Sequence, residues 1–131
     1  MKVGQRLLRL ARIVWPAPVV EHLHTLWQQG TIAAHHAVVF GVLGWGLGLE
    51  ERATVEGAGY TWLSSMVSAA LRLFPLGQVA GQRVLTSLLT CLPTIADAIS
   101  QQGWDDLSSA APGFDIRAMQ HERLYSRLFQ S

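Results

Sequence analysis

Five histidines are the first candidates for chemistry in this chain, because imidazole nitrogens bind metals and carry protons near neutral pH. They are His22, His24, His35, His36 and His121. The first two are two residues apart and the next two are adjacent, so the side chains within each pair diverge on a helix. The sequence contains no H-E-x-x-H segment and no Cys/His cluster. We therefore expect ordinary helix-surface or core histidines, and neither a metal site nor a cofactor.

The segment "PLGQVAGQR", residues 75–83, places Gln78 and Gln82 four residues apart. On a helix that begins here, the two amides share one face, and Gly77 permits a tight turn after Pro75. The segment is no dinucleotide or phosphate-binding loop, because no strand precedes it and no Gly-Lys-Ser/Thr follows. Neutral amides donate and accept hydrogen bonds without exchanging protons. Spacing alone favours a recognition surface and a plain loop equally.

The remaining polar groups give little support to catalysis. Asp105 and Asp106 are adjacent in a connector, with no convergent partner in the pattern. The serines of a predicted helix lack the strained turn of a nucleophile elbow: Ser64, Ser65 and Ser68. We therefore expect a protein that is not an enzyme.

The composition predicts apolar surface that something else covers. Of the 131 residues, 50% are hydrophobic and 15% are charged, against about 25% charged in average soluble domains. A partner subunit, another segment or a membrane could cover such a surface. The net charge of +1 excludes the strongly basic face typical of nucleic-acid binding. The length predicts a single domain.

Cysteine use and hydropathy indicate the compartment. A single cysteine, Cys91, excludes an internal disulfide and fits a reducing compartment. Its apolar helical surroundings predict a small core residue. The longest apolar run, residues 37–49, is shorter than the roughly 20 residues that a membrane-spanning helix needs.

The elements that must position these residues are helical nearly everywhere, and the first is basic. A helix from Val3 to Ile13 has Leu7 and Leu10 on one side and arginines on another: Arg6, Arg9 and Arg12. The arginines interrupt the apolar run that a secretory signal needs. An organelle transit peptide and a helix lying on an anionic membrane are the less favoured interpretations.

Proline and glycine delimit the next two helices. The second is predicted from Pro18 to Gln29, with Gly30 as its stop. The third, His35 to Leu47, is apolar on nearly all sides, which predicts a central, buried helix. Its glycines cost about 1 kcal/mol each against alanine, so we expect them to admit a neighbouring backbone: Gly41, Gly44 and Gly48.

The C-terminal part predicts two longer helices and a short one. Acidic residues 50–51 suit a helix N-terminus, and Pro75 ends that helix. The following helix contains Pro93, which should kink it. Asp115 is expected to cap a short helix to Arg123. The sequence thus predicts an all-α domain of about five to six helices.

The last eight residues, "LYSRLFQS" (124–131), are unusually apolar for a terminus. Tyr125 and Phe129, four residues apart, would form one aromatic face with Leu128 beside it. Arg127 can make a bidentate contact to a carboxylate, and arginine and aromatic residues dominate interface energetics. We expect this tail to become ordered on a partner protein.

Four segments resemble the UreF family of urease accessory proteins. They are "GQRLLRLARIVW", "HHAVVFGVLGWGLGL", "VSAALRLFPLGQVAGQRVL" (67–85) and "DIRAMQHERLYSRLFQS" (115–131). The resemblance covers essentially the whole chain, and its specific parts are the "PLGQ..GQR" turn and "HERLYSRLF". It implies an all-α, cytoplasmic, non-enzymatic protein. Such a protein would join a UreD/UreH-type protein and a UreG-type GTPase in delivering nickel to apo-urease.

The resemblance also implies partner-binding residues, with packing inside the chain as the alternative for each. The inter-helix motif, near a subunit or GTPase contact, comprises Arg72, Gly77, Gln78, Gly81 and Gln82. The tail motif, which would dock UreD/UreH, comprises Arg123, Tyr125, Ser126, Arg127, Leu128 and Phe129. Met119 and His121 lie on the short helix before it.

One departure from the family concerns length. Family chains are usually close to twice as long, which implies that the N-terminal half of the family pattern is missing here. A fragment, a natural truncation and a start codon assigned too late all fit that difference. The alternative function is therefore a nonproductive UreF-like fragment, or a helical interaction module with no role in nickel delivery. Homodimerisation stays open.

Overall fold

A computed structural model describes residues 2–106 and 112–121, and within them it confirms an all-α fold without strands. One short 3-10 helix covers Trp104–Asp106, and the contacts divide the chain into two compact units, residues 1–100 and 101–131. The α-helices of the described residues are α1 (Lys2–Val14), α2 (Pro18–Gln28), α3 (His36–Gly46), α4 (Glu51–Leu73), α5 (Gln78–Leu89), α6 (Leu92–Ile99) and α7 (Pro112–His121).

Helices α1, α2 and α3 form a small core of their own. Its buried residues are Leu8, Val20, Leu23, Ala34 and Val39. Gly4 of α1 is also buried, and a Cβ at this position would collide with the backbone of Ala34 and His36. The close approach of α1 to the chain before α3 therefore depends on glycine.

The predicted helix ends hold where proline and glycine mark them. Gly30, just after α2, has a φ of 72°, the left-handed conformation typical of a glycine stop. Gly48 has the same φ and nothing near its Cβ position. It therefore turns the chain after α3 and does not serve the predicted backbone packing. Gly41 also has nothing within 4 Å, whereas Gly44 is buried against the side chain of Thr54.

Two other predictions, the kink at Pro93 and the N-cap at Asp115, are wrong. The predicted kink at Pro93 is a break, because α5 ends at Leu89 and α6 begins at Leu92 with the proline in its first turn. A proline fits that position, where the backbone amide has no partner within the helix. Asp115 lies inside α7, since this helix begins at Pro112, so it is no N-cap.

The sequence also overestimates burial in α3 and at Cys91. Helix α3 buries only Val39 and Gly44, while Trp45 is 73% exposed. The helix contacts α1, α2 and α4, and these neighbours leave part of its apolar surface uncovered among the described residues. Cys91, expected in the core, is exposed because it lies at the break between α5 and α6.

The second helical group consists of α4, α5 and α6. Helix α4 contacts both of the others, but the buried residues are only Val67, Leu85, Ala96 and Gly81. At one end, Arg52 of α4 reaches Glu56 at 3.0 Å and Asp97 of α6 at 3.1 Å. Among the described residues, these three helices thus bury few side chains and leave much of their apolar surface exposed.

Candidate partner-binding surface

The connection between α4 and α5 carries the best candidate site. Phe74 is extended, with φ −121° and ψ 148°, as expected for a residue before a proline. Gly77 is extended as well, with φ −70° and ψ 156°, and nothing lies near its Cβ position. Its backbone therefore does not require glycine, contrary to the tight turn predicted there. The two extended residues turn the chain so that α5 folds back on α4.

Gln78 and Gln82 both lie in the first two turns of α5 and are exposed. Their spacing puts them on one face of the helix, as predicted. Four large apolar side chains close to them in the sequence are also exposed, by 48% to 69%: Leu73, Phe74, Leu76 and Val79. We call these four residues and the two glutamines the α4–α5 corner.

The chemistry of the corner suits binding. Its two amides can donate and accept hydrogen bonds, and its apolar side chains gain free energy when a partner removes them from water. Exposed apolar residues grouped with polar ones mark protein interaction sites. Sequence reasoning found the glutamines and missed the contribution of Leu73, Leu76 and Val79. Their apolar type beside a proline–glycine turn was the available signal.

Arg72 and Gly81 support the corner in different ways. Arg72 is exposed in the last turn of α4, where a cation is favourable at a helix C-terminus. Gly81 is buried, and a Cβ there would lie 2.8 Å from a methyl group of Leu71. Gly81 therefore lets α5 pack closely on α4 and does not present a side chain to solvent.

The remaining predicted residues belong to the second unit. Met119 is 73% exposed on α7, and His121 is the last residue of that helix. The tail motif lies outside the described residues: Arg123, Tyr125, Ser126, Arg127, Leu128 and Phe129. Docking through the tail therefore stays a prediction.

Among the described residues, the ionisable side chains of Arg52, His24 and His36 make contacts within the chain. The hydrogen bond to Glu56 and then the charge of Asp97 raise the pKa of Arg52. His24 packs edge-on against Trp27, and His36 lies tilted against Phe40. Within residues 2–106 and 112–121, no three His, Cys, Asp or Glu side chains converge as metal ligands.

No helix among the described residues combines the length and the apolar character needed to cross a bilayer.

Comparison with known proteins identifies relatives of the whole chain. The UreF family model matches residues 1–89. Proteins named urease accessory protein UreF are similar over nearly all of it. The one from Paenarthrobacter aurescens is 33% identical over 131 residues, covering 100% of this chain and 59% of the relative. The Bacillus sp. (strain TB-90) protein is 31% identical, covering 99% and 57%, respectively.

A third relative extends the same pattern. The Geobacillus kaustophilus protein of that name is 34% identical over 129 residues, covering 98% of this chain and 56% of the relative. The chain thus spans less than two thirds of the length of these curated relatives. No solved structure matches it.

Proposed function

The chain belongs to the UreF family of urease accessory proteins, and on that premise we propose that it is a non-enzymatic scaffold in urease maturation. It binds a UreD/UreH-type accessory protein and a UreG-type GTPase, in the cytoplasmic complex that inserts nickel into apo-urease. The single observation that carries the proposal is the α4–α5 corner, which presents exposed apolar and amide groups inside the matched residues.

The proposed division of labour follows the chemistry of the surfaces. The corner offers hydrogen-bonding amides and apolar contacts, so it recognises a folded surface of the GTPase or of a subunit. The tail, with its arginines and aromatic residues, docks the UreD/UreH-type protein. GTP hydrolysis belongs to the GTPase, and nickel is the cargo of the assembly. The role of this chain is to hold partners and regulate the GTPase.

The corner is tested by replacing both amides with arginines, in a Gln78→Arg/Gln82→Arg double variant. Two buried cations without partners are costly in an interface, so the Kd for the UreD/UreH-type protein or for the GTPase should rise at least about tenfold. Gln28→Arg is the matched control, because Gln28 is an exposed glutamine at the end of α2. Unchanged Kd values for both partners in the double variant would contradict the corner as an interface.

The tail is tested separately by deleting residues 124–131. Binding of the UreD/UreH-type protein in a pull-down should weaken, because the deletion removes the aromatic and arginine anchors. The far-ultraviolet circular dichroism of residues 1–123 controls for folding. Equal retention of the partner with and without the tail would refute the docking role.

The second candidate is a helical interaction module with no role in nickel delivery. The exposed apolar and amide groups of the α4–α5 corner also support this candidate, because binding a partner requires no part in nickel delivery. Urease activation in cells that lack their own protein of this family separates the two. A scaffold restores urease activity, whereas an interaction module retains partners in pull-downs and restores none.

A further inference from the structure

Helix α1 carries a row of apolar residues that is mostly exposed, although Leu7 within it packs partly against the core. The row consists of Val3, Leu7, Leu10 and Val14, at the alternating spacing of four and three residues found in helices that pair with another helix. Val3, Leu10 and Val14 are 54%, 56% and 72% exposed. Leu8, which points to another side of α1, is fully buried in the core. The row spans about three turns, or roughly 16 Å.

Helix α3 turns this row into a groove. Leu43 of α3 and Leu47, which directly follows this helix, form the opposite wall, and Leu47 is 57% exposed. The groove is open to solvent and has a volume of about 360 Å³. Every residue that lines it is hydrophobic: Leu7, Leu10, Ala11, Val14, Trp15, Leu43 and Leu47. We call this feature the α1–α3 groove.

Two cations of α1 flank the apolar row. Arg6 lies one turn from both Val3 and Leu10, and Lys2 lies one turn before Arg6. Both cations are exposed, and among the described residues neither forms an ion pair. The first acidic residue of the chain, Glu21, is already held by Arg12 at 2.8 Å. An acidic ligand would therefore find two available cations beside the apolar row.

We propose that the α1–α3 groove binds an amphipathic helix of a partner protein that has aliphatic residues along one stripe and Glu or Asp along its edge. A groove between two helices, lined by apolar residues at helical spacing, is the geometry of helix-in-groove recognition. The acidic edge pairs with Lys2 and Arg6 and sets the direction of the bound helix. The groove shares no residue with the α4–α5 corner and does not rest on the proposed function.

Charge and shape argue against two other occupants. Helix α1 carries four cations and no acid, so α1 packing on α1 of a second copy would bring like charges together. A helix that lies on a membrane inserts a convex apolar ridge, whereas two walls make this surface concave. Both occupants are outcomes of the test below.

The test uses the full chain and labelled synthetic helices of about 18 residues in fluorescence anisotropy. One peptide has a leucine stripe with glutamates along its edge. The second replaces those glutamates by lysines, and the third scrambles the first. We expect the glutamate peptide to bind at least about tenfold more tightly than the others, and added salt to weaken it.

Chain variants separate the groove from its surroundings. Leu10→Gln/Val14→Gln should abolish most of the binding, whereas Ile13→Gln should leave it unchanged, because Ile13 is 80% exposed on α1 but does not line the groove. Lys2→Glu/Arg6→Glu should reverse the preference toward the lysine peptide. All these positions are exposed, and circular dichroism checks that the variants stay folded.

Several results would overturn the inference. Equal binding of the glutamate and lysine peptides would show that the groove does not select a helix with an acidic edge. Binding that Leu10→Gln/Val14→Gln leaves intact would place the site elsewhere. If the chain sediments as a dimer and Leu10→Gln/Val14→Gln dissociates it, the occupant of the groove is a second copy of the chain. If the chain sediments with phosphatidylserine vesicles and Leu10→Gln/Val14→Gln abolishes that binding, the groove binds a lipid surface instead.

Discussion

The two helical groups of residues 2–100, α1–α3 and α4–α6, differ in how they bury their apolar residues. In α1–α3 and the segment just before α3, the buried hydrophobic residues form one cluster that contains Leu8 and Val20. In α4–α6, the buried hydrophobic residues lie outside that cluster, while Trp62 and Phe74 are each 60% exposed. The first group thus has a core of its own, whereas the second exposes large apolar side chains. We infer that α1–α3 supply most of the stability, whereas α4–α6 contribute mainly the exposed α4–α5 corner.

Local sequence explains part of this difference. Helix α4 is 23 residues long, and several of its small polar side chains bond back to their own helix. Thr61 donates to the carbonyl of Gly57, and Ser65 donates to the carbonyl of Thr61. Such residues contribute little apolar area to a core. In α1 and α2, leucine and valine occupy the corresponding inward positions.

The largest expected effect is on the core of the first group. Leu8→Ala removes a fully buried side chain and should lower the free energy of unfolding by about 3 kcal/mol. The control is Leu88→Ala in α5, which removes a side chain that is 40% exposed and should cost about 1 kcal/mol or less. Urea denaturation gives both values. Equal losses would show that the two groups do not differ in packing.

The close approach of α1 gives the next effect. Gly4→Ala places a methyl group against the backbone of Ala34 and His36, which cannot move aside cheaply. We expect a loss of about 2 kcal/mol in the free energy of unfolding. Gly41→Ala, in a helix position with open space, should be neutral or stabilising by up to about 1 kcal/mol. A tolerated Gly4→Ala would mean that α1 packs less closely than described.

A smaller effect is expected at the matching glycine of the second group. Gly81→Ala brings a methyl group to 2.8 Å from the end of the Leu71 side chain. That side chain is flexible, and alanine favours the helix, so the net loss should be about 1 kcal/mol or less. Thermal melts of Gly81→Ala and Gly4→Ala measure the difference. A larger loss at Gly81 would reverse the comparison.

The smallest effect is expected for the ion pairs of Arg52. This arginine is exposed, and exposed ion pairs add little to stability. Arg52→Ala should leave the melting temperature nearly unchanged, and 0.5 M salt should erase any difference from the unsubstituted chain. A clear loss that persists in high salt would show that Arg52 holds α4 and α6 together more firmly than its exposure suggests.

Helix existence and several helix ends could be predicted from sequence, because local residues determine them. Pro75 and Gly30 end helices for reasons that lie within one turn of the chain. Asp115 was misplaced because Pro112, three residues earlier, also begins a helix well.

Burial could not be predicted from sequence in the same way. Cys91 and α3 have strongly apolar surroundings in sequence, but burial depends on which elements pack beside them. For a similar reason, only part of the α4–α5 corner could be predicted. Gln78 and Gln82 follow from spacing alone, whereas the exposure of the apolar side chains close to them in the sequence depends on what the packing of α4–α6 leaves uncovered. The α1–α3 groove needs two helices at once, so only the α1 half of it is visible in the sequence.

The most direct test of the recognition role of the α4–α5 corner is hydrogen–deuterium exchange of the full chain, alone and with the UreD/UreH-type protein and the GTPase. We expect slower exchange in residues 73–85, which contain the α4–α5 corner, and unchanged exchange in α2, whose apolar face is already buried. A stable complex in which residues 73–85 exchange as fast as in the free chain would contradict the account.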